Sequence, residues 1–239
     1  MNEFPDGLAQ LVVALNTSLV DEESLDDTLA RVAFLACQAP IGADNAGVTL
    51  QRQGAPATAA YSGDAALPLD EAQYEAGNGP CLHAYRTGEM VRVGRIQDCA
   101  ARWPKFVDTA ADLGIVSSLS MPLRVKSDIV GALNLYGSRP LTFTGPNVHL
   151  AELFAEQAAL AVTNAEVYFN TYELTQNLTR ALENREVIGQ AKGILATRLV
   201  LTMDEAFEQL RQTSQNINMK LRDVADHVVR TGELPSAPE

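Results

Sequence analysis

Cysteine, histidine and tryptophan are scarce in this chain, at three, three and one among 239 residues. Cys37, Cys81 and Cys99 are an odd set separated by 44 and 18 positions, which fits neither a disulfide framework nor a paired CxxC zinc site. A reducing compartment fits this usage. His83, His149 and His227 are too scattered to predict a metal cluster. No run approaches the ~18 consecutive apolar residues of a membrane span, and the opening MNEFPDGLAQLVVALN sets Glu3 and Asp6 where a signal peptide needs positive charge. The expectation is a cytoplasmic protein with no membrane partner. Basic residues are the last deficit. Eighteen Lys and Arg against 30 Asp and Glu give a net charge of −12, which argues against a surface that grips nucleic acid through its phosphates.

What is present is ordinary globular material, 46% apolar and 20% charged. The length is about one and a half times the ~150 residues of one average domain, which predicts two units. The charge is unevenly shared: residues 1–174 hold 10 basic and 21 acidic residues, and residues 175–238 hold eight of each. The acidity belongs to the first unit, so the whole-chain charge excludes nothing about the tail.

Leu8, Leu11, Val12, Leu15 and Leu19 are spaced for one helical face, and Ser24 precedes Leu25, Leu29, Val32, Ala33 and Ala36 at steps of three and four, so residues 6–38 read as helical. AGVTLQ from Ala46 and ATAAYS from Ala57, with Gly54 and Pro56 between them, predict a hairpin. A helical turn from Pro68 to Ala76, a short helix opened by Pro80, a strand from Met90 to Val93 and a helix from Trp103 to Leu113 follow. VSSLSMPLRV from Val116 and IVGALNLYG from Ile129 make a second hairpin across Lys126, Ser127 and Asp128. The first unit is therefore α+β, with at least five strands and helices around them.

No Pro or Gly interrupts residues 147–188, so one helix of up to ~40 residues, near ~60 Å long, joins the units. Phe154, Ala158, Ala161, Ala165, Tyr168 and Tyr172 recur at alternating steps of four and three, the spacing of a coiled-coil seam. Two readings stay open: the helix covers the first unit's own sheet, or its distal part pairs with a second copy in a homodimer.

The tail shows three helical segments, from Leu174 to about Val200, from Met203 to about Ile217 and from Leu221 to Arg230. On a helical wheel Val187, Ile188, Ile194 and Leu195 fall within about 60° of Ala191, a buried stripe. Arg185, Gly189, Lys192 and Ala196 form a second stripe in which charge alternates with low relief, a surface that a phosphate backbone can approach closely. The competing reading is that Gly189 and Gly193 serve close helix packing while Arg185 and Lys192 are merely solvated. Around the next turn stand Arg211, Ser214, Gln215, Asn218, Lys220 and Arg222, groups able to contact unstacked RNA bases and phosphates.

The stretch ALENREVIGQAKGILATR from Ala181, continuing through MDEAFEQLRQTSQNINMKLRDVADHVV to Val229, closely resembles the ANTAR domain, an RNA-binding transcription antitermination module. GNGPCLHAYRTGEMVRV, RWPKF, SSLSMPL, GALNLYG and EQAALAVTNA resemble a GAF sensor domain. The resemblance implies a GAF sensor over residues 8–170, with an antiparallel sheet and flanking helices, and an all-α three-helix RNA-binding module over 171–234. It implies a dimeric regulator, not an enzyme, that binds paired hairpins in messenger RNA leaders and so prevents a terminator from forming. Carried over by motif, the RNA-facing residues are Arg185, Gln190, Lys192, Gly193, Arg211, Ser214, Gln215, Asn218 and Lys220.

GAF folds hold ligands, chromophores or only protein contacts, and fold alone does not choose among them. Tyr61, Gly79, Cys81, His83 and Trp103 are the candidate lining of a small-molecule pocket, and the helix opened by Pro80 offers free N–H groups to an anion. No CysHis pair suggests a linear tetrapyrrole link and there is no cyclic-nucleotide GAF signature, so the cofactor stays open. Cys81 at a helix start is either a redox-sensing thiol or a small buried residue. Two rivals to the antitermination reading are a dimeric adaptor without RNA binding and a GAF-type methionine sulfoxide reductase using Cys81.

Overall fold

The computed structural model describes residues 24–236. The chain divides into two compact units, Met1–Phe169 and Asn170–Glu239. The helical face predicted from Leu8 to Leu19 lies outside the described residues.

In the first unit Ser24 caps α1, Leu25–Gln38, its Oγ accepting from the Asp27 amide at 3.2 Å. Strands β1, Asn45–Arg52, and β2, Ala55–Ser62, turn through Gln53 and Gly54, both at positive φ, as a tight hairpin requires. Pro56, expected in that turn, lies inside β2. It is tolerated there because β2 is an edge strand. Helix α2, Ala66–Ala76, is longer than the predicted turn and ends at Gly77 in the left-handed region. Then come α3, Pro80–Thr87; β3, Val91–Val93; a short 3-10 turn, Ile96–Cys99; α4, Pro104–Asp112; β4, Ser117–Val125; and β5, Asp128–Gly137.

The five strands form one antiparallel sheet in the order β2-β1-β5-β4-β3. Strand alternation gives it two unlike faces. Val48, Leu50, Leu119, Met121, Leu123, Leu133 and Leu135 point into a core closed by α1 and by the start of a long helix, α5, Pro146–Leu199. Thr49, Ser118, Ser120, Asn134 and Tyr136 occupy the alternate positions, all fully buried, and α2, α3 and α4 pack over this polar face. Strand β3 pairs with β4 only across Ser118, Leu119 and Ser120, so β4 runs on through Met121, Pro122 and Leu123 beyond its partner on that side.

The core settles which residues of the expected dimer seam are free. Phe154 and Ala158 belong to the first unit's own core, and Ala161 and Ala165 are fully buried within the single chain. The four-three spacing therefore reports a helix covering its own domain, and these four positions are not available to a second copy. Only Tyr168 and Tyr172 of the six stay exposed, at 56% and 55%.

Helix α5 is 54 residues long, past the ~40 expected, because Gly189 and Gly193 do not break it. In the second unit its distal part packs with α6, Met203–Asn216, and α7, Leu221–Thr231. Ala191, Leu195, Ala206, Leu210, Val224, Ala225 and Val228 form the buried core, with Val187, Ile188 and Ile194 against it, as the helical wheel predicts. Thr202 opens α6 with a capping box: its hydroxyl accepts from the Glu205 amide at 3.3 Å and its own amide donates to Glu205 Oε2 at 2.8 Å. The turn before it places Val200 at φ 55° with 91% of its surface exposed. Arg222 at the start of α7 reaches Glu183 at 3.7 Å, and Arg198 donates to the Gly232 carbonyl at α7's end at 2.5 Å, so α7 runs alongside α5 in the same direction.

Candidate functional site

The Arg222–Glu183 contact brings the α6–α7 turn to the part of α5 that carries Arg185, so the two predicted RNA-facing groups meet at one end of the module. Arg185 and Lys220 are exposed and form no ion pair among the described residues. Gln190 and Gln215 are also exposed, Gln190 with its amide on Glu186 at 3.3 Å. Lys192 is half-buried, its ammonium 5.4 Å from the centre of the Phe207 ring, a cation–π contact that ties it to α6.

Three more of the nine predicted residues have a function inside the fold. Arg211 forks onto Glu208, Ser214 donates its hydroxyl to the Met219 carbonyl at 2.6 Å, and Asn218 sits in the left-handed region at φ 50°, where asparagine is among the few residues tolerated. The last two build the turn itself.

The glycines answer the other question left open by the sequence. A Cβ at Gly189 or Gly193 would meet nothing within 4 Å, so no neighbouring element requires the missing side chain. Each nonetheless costs the helix about 1 kcal/mol relative to alanine. A shallow hollow of about 600 Å³ opens beside Gly193, lined also by Gln190, Ile194, Thr197, Arg198 and Val229. Packing among the described residues does not explain the pair.

In the first unit, Asp70 on α2 is fully buried and is the centre of a hydrogen-bond network. Tyr136 donates to its Oδ1 at 2.5 Å, Asn134 to the same oxygen at 2.9 Å, and Thr58 to Oδ2 at 3.0 Å. Tyr74 lies 2.9 Å from Thr58 and 2.8 Å from Thr49, and Thr49 is 3.2 Å from the Cys81 sulfur. Burial pushes the Asp70 carboxyl up to about 7 against the pull of its three donors. A Cβ at Gly47 would land on this carboxylate, which explains the glycine inside β1. Ser118 Oγ, Ser120 Oγ and Asn134 Oδ1 are buried on the same face without a hydrogen-bond partner.

The five predicted pocket residues do not share one environment. Tyr61 is 52% exposed on β2; Trp103 is buried in the apolar cluster between α2, α4 and β5; His83 is at the surface, 3.8 Å from Glu89. Gly79 and Cys81 are joined through Gln73, whose Oε1 accepts from the Cys81 amide at 2.8 Å and whose side chain fills the space a Cβ at Gly79 would need. That bond occupies an N–H expected to receive an anion at the start of α3. Burial pushes the Cys81 thiol up to about 12, the opposite of what a nucleophilic or redox-sensing thiolate requires. A hollow of about 520 Å³ in this unit is lined by other residues, among them Met90, Met121, Arg124, Lys126, Glu152 and Glu156.

The network residues Thr49, Thr58, Asp70, Gln73, Tyr74, Asn134 and Tyr136 are absent from the sequence-based site. Their signal in the sequence is the polar residue at every second position of otherwise apolar strands, as in Ser118 and Ser120 or Asn134 and Tyr136. No described helix is long and apolar enough to cross a membrane.

Residues 22–163 match the GAF domain family model and residues 176–229 match the ANTAR domain family model. No curated protein matches the chain. Among solved structures the chain is similar to a free methionine-R-sulfoxide reductase from Neisseria meningitidis in complex with its substrate, at 19% identity and a TM-score of 0.51, over 70% of this chain and 97% of that one. It is similar to the phycoerythrobilin-bound GAF domain of a cyanobacterial phytochrome at 13% identity and 0.51, over 69% and 98%. The GAF domain of an Acinetobacter phosphoenolpyruvate-protein phosphotransferase matches at 14% identity and 0.51, over 70% and 99%. At these identities the likeness is one of fold.

Proposed function

The chain belongs to the GAF domain family and carries an ANTAR domain over residues 176–229, and from that premise we propose that it is a cytoplasmic, dimeric regulator of transcription that binds RNA. The tail holds paired hairpins of a nascent messenger RNA leader and so keeps the competing terminator hairpin from forming. The observation that carries this reading is the open glycine pair of α5. Inside a domain matched to an RNA-binding antitermination module, Gly189 and Gly193 leave bare backbone beside Arg185 and Lys192, and none of the described residues comes within 4 Å of where a side chain would begin.

The contacts this supports are of two kinds. Arg185 and Lys220 neutralise phosphates, which gives affinity that falls as salt rises. Gln190, Gln215 and the hollow beside Gly193 meet bases or sugars, which gives specificity. The acidic first unit is the sensor, and a small molecule or a partner acting on it controls the tail. The two copies meet through surface that the first unit's core leaves free, which includes Tyr168 and Tyr172.

Gel-shift titration of the full chain with a two-hairpin leader RNA tests the proposal. Expected is saturable binding that weakens with salt and is lost when both hairpins are unpaired by mutation. Absence of binding by the full chain, including a covalently linked dimer, leaves the adaptor reading in its place. The reductase reading lacks support in the site, because the thiol it needs is buried and protonated.

A further inference from the structure

The polar face of the first unit's sheet has a chemistry that RNA binding does not use. Asp70 is fully buried, and no cation faces it among the described residues. Glu71 and Tyr74 of its own helix, Tyr136 of β5 and Cys81 of α3 are the titratable groups around it, and each is neutral or negative. Strands β1 and β2 present only the Thr49 and Thr58 hydroxyls. The Lys105 ammonium of α4 is already bound to Glu75 at the surface.

The connectivity fixes the direction of the bonds. When Asp70 is ionised it can only accept, so Thr58 donates to it. Thr58 must then accept from Tyr74, Tyr74 from Thr49, and Thr49 from the Cys81 thiol, each hydrogen being used once. The chain runs Cys81, Thr49, Tyr74, Thr58, Asp70, through α3, β1, α2 and β2 and back to α2. When Asp70 carries a proton directed at Thr58, the Thr58 hydrogen is released and every hydroxyl is free to turn over, with Thr58 donating to Tyr74, Tyr74 to Thr49, and Thr49 to the Cys81 sulfur.

We propose that Asp70 is a proton-responsive switch inside the GAF unit: one proton gained or lost reverses the hydroxyl chain as far as the Cys81 thiol and sets how firmly α2 and α3 are held to the sheet. With the proton the network is neutral. Without it, a negative charge lies between α2 and β5 with only dipoles to stabilise it.

The carboxyl, held up to about 7 in the fold and titrating near ~4 when unfolded, retains between these values a proton that the unfolded chain has lost. Its contribution to stability is therefore largest at the acid end and is lost as pH rises through about 7.

Two measurements on the full chain test the switch. The Cys81 S–H stretching band, assigned by its loss in Cys81→Ala, is expected to shift between pH 5.5 and 8.5 in the parent protein and to stay fixed in Asp70→Asn. The unfolding equilibrium constant of the parent, divided by that of Asp70→Asn, is expected to rise by up to about tenfold per pH unit on the approach to pH 7. A band that does not move, together with a ratio that is flat in pH, overturns the proposal. If Asp70→Asn does not fold, Tyr136→Phe replaces it: loss of the 2.5 Å bond should raise the midpoint of the S–H shift, and an unmoved midpoint overturns the proposal equally.

Discussion

Arg211 and Glu208 form a two-pronged ion pair one turn apart on α6, Nε to Oε2 at 2.8 Å and Nη2 to Oε1 at 2.6 Å. Together with the Gln212 amide at 3.1 Å, the guanidinium holds the Glu208 carboxyl down to about 2, so the pair stays charged through the physiological range. A residue expected to meet phosphate is thus already neutralised. Glu208→Gln is expected to strengthen binding to a two-hairpin RNA and to steepen its salt dependence by about one phosphate contact, measured by gel shift over a salt series. Unchanged affinity and slope would remove Arg211 from the interface.

Gly193→Ala separates stability from binding. The added methyl meets nothing within 4 Å among the described residues, so the helix should gain about 1 kcal/mol and the tail should melt at a higher temperature by circular dichroism. The proposed contact brings an RNA backbone against this same position, so affinity should fall. A variant that is more stable and binds as before would show that the bare backbone serves something other than RNA.

Val200 is strained in the α5–α6 turn: it is a β-branched residue at positive φ, and its side chain is almost wholly in water. Val200→Gly should remove that strain and raise stability by about 1 kcal/mol or more in denaturant titration. No gain would mean that the exposed valine is covered in the assembled protein.

Ala161→Glu, which the spacing alone would assign to a dimer seam, should unfold the first unit, because it drives a charge into a fully buried position. Tyr172→Glu is the informative substitution. It should leave the circular dichroism spectrum unchanged and shift sedimentation toward monomer. A Tyr172→Glu protein that sediments as a dimer would place the contact elsewhere.

Three features are legible in the sequence: the alternation in β4 and β5, the apolar stripe around Ala191, and the favourable first turn after Thr202. Each depends on residues close together in the chain. The alternating polar residues of the strands are visible in the sequence, but their union around Asp70 is not, because the members come from five elements and meet only when α2 and α3 close over the sheet. The seam illustrates a different limit. A four-three repeat says that one face of a helix is covered, and it carries no information on whether a sheet of the same chain or a second copy does the covering. Arg211, Ser214 and Asn218 show the converse, since residue types suited to RNA are also suited to ion pairs and tight turns.

The overhang of β4 past β3 has a bearing on how the protein survives at high concentration. An uncovered strand edge is a template on which chains can add to one another and grow into aggregates. Pro122 stands in that overhang with no N–H to give, so a chain arriving there finds a gap in the ladder it would have to extend. Pro122 is thus expected to act as a guard on solubility.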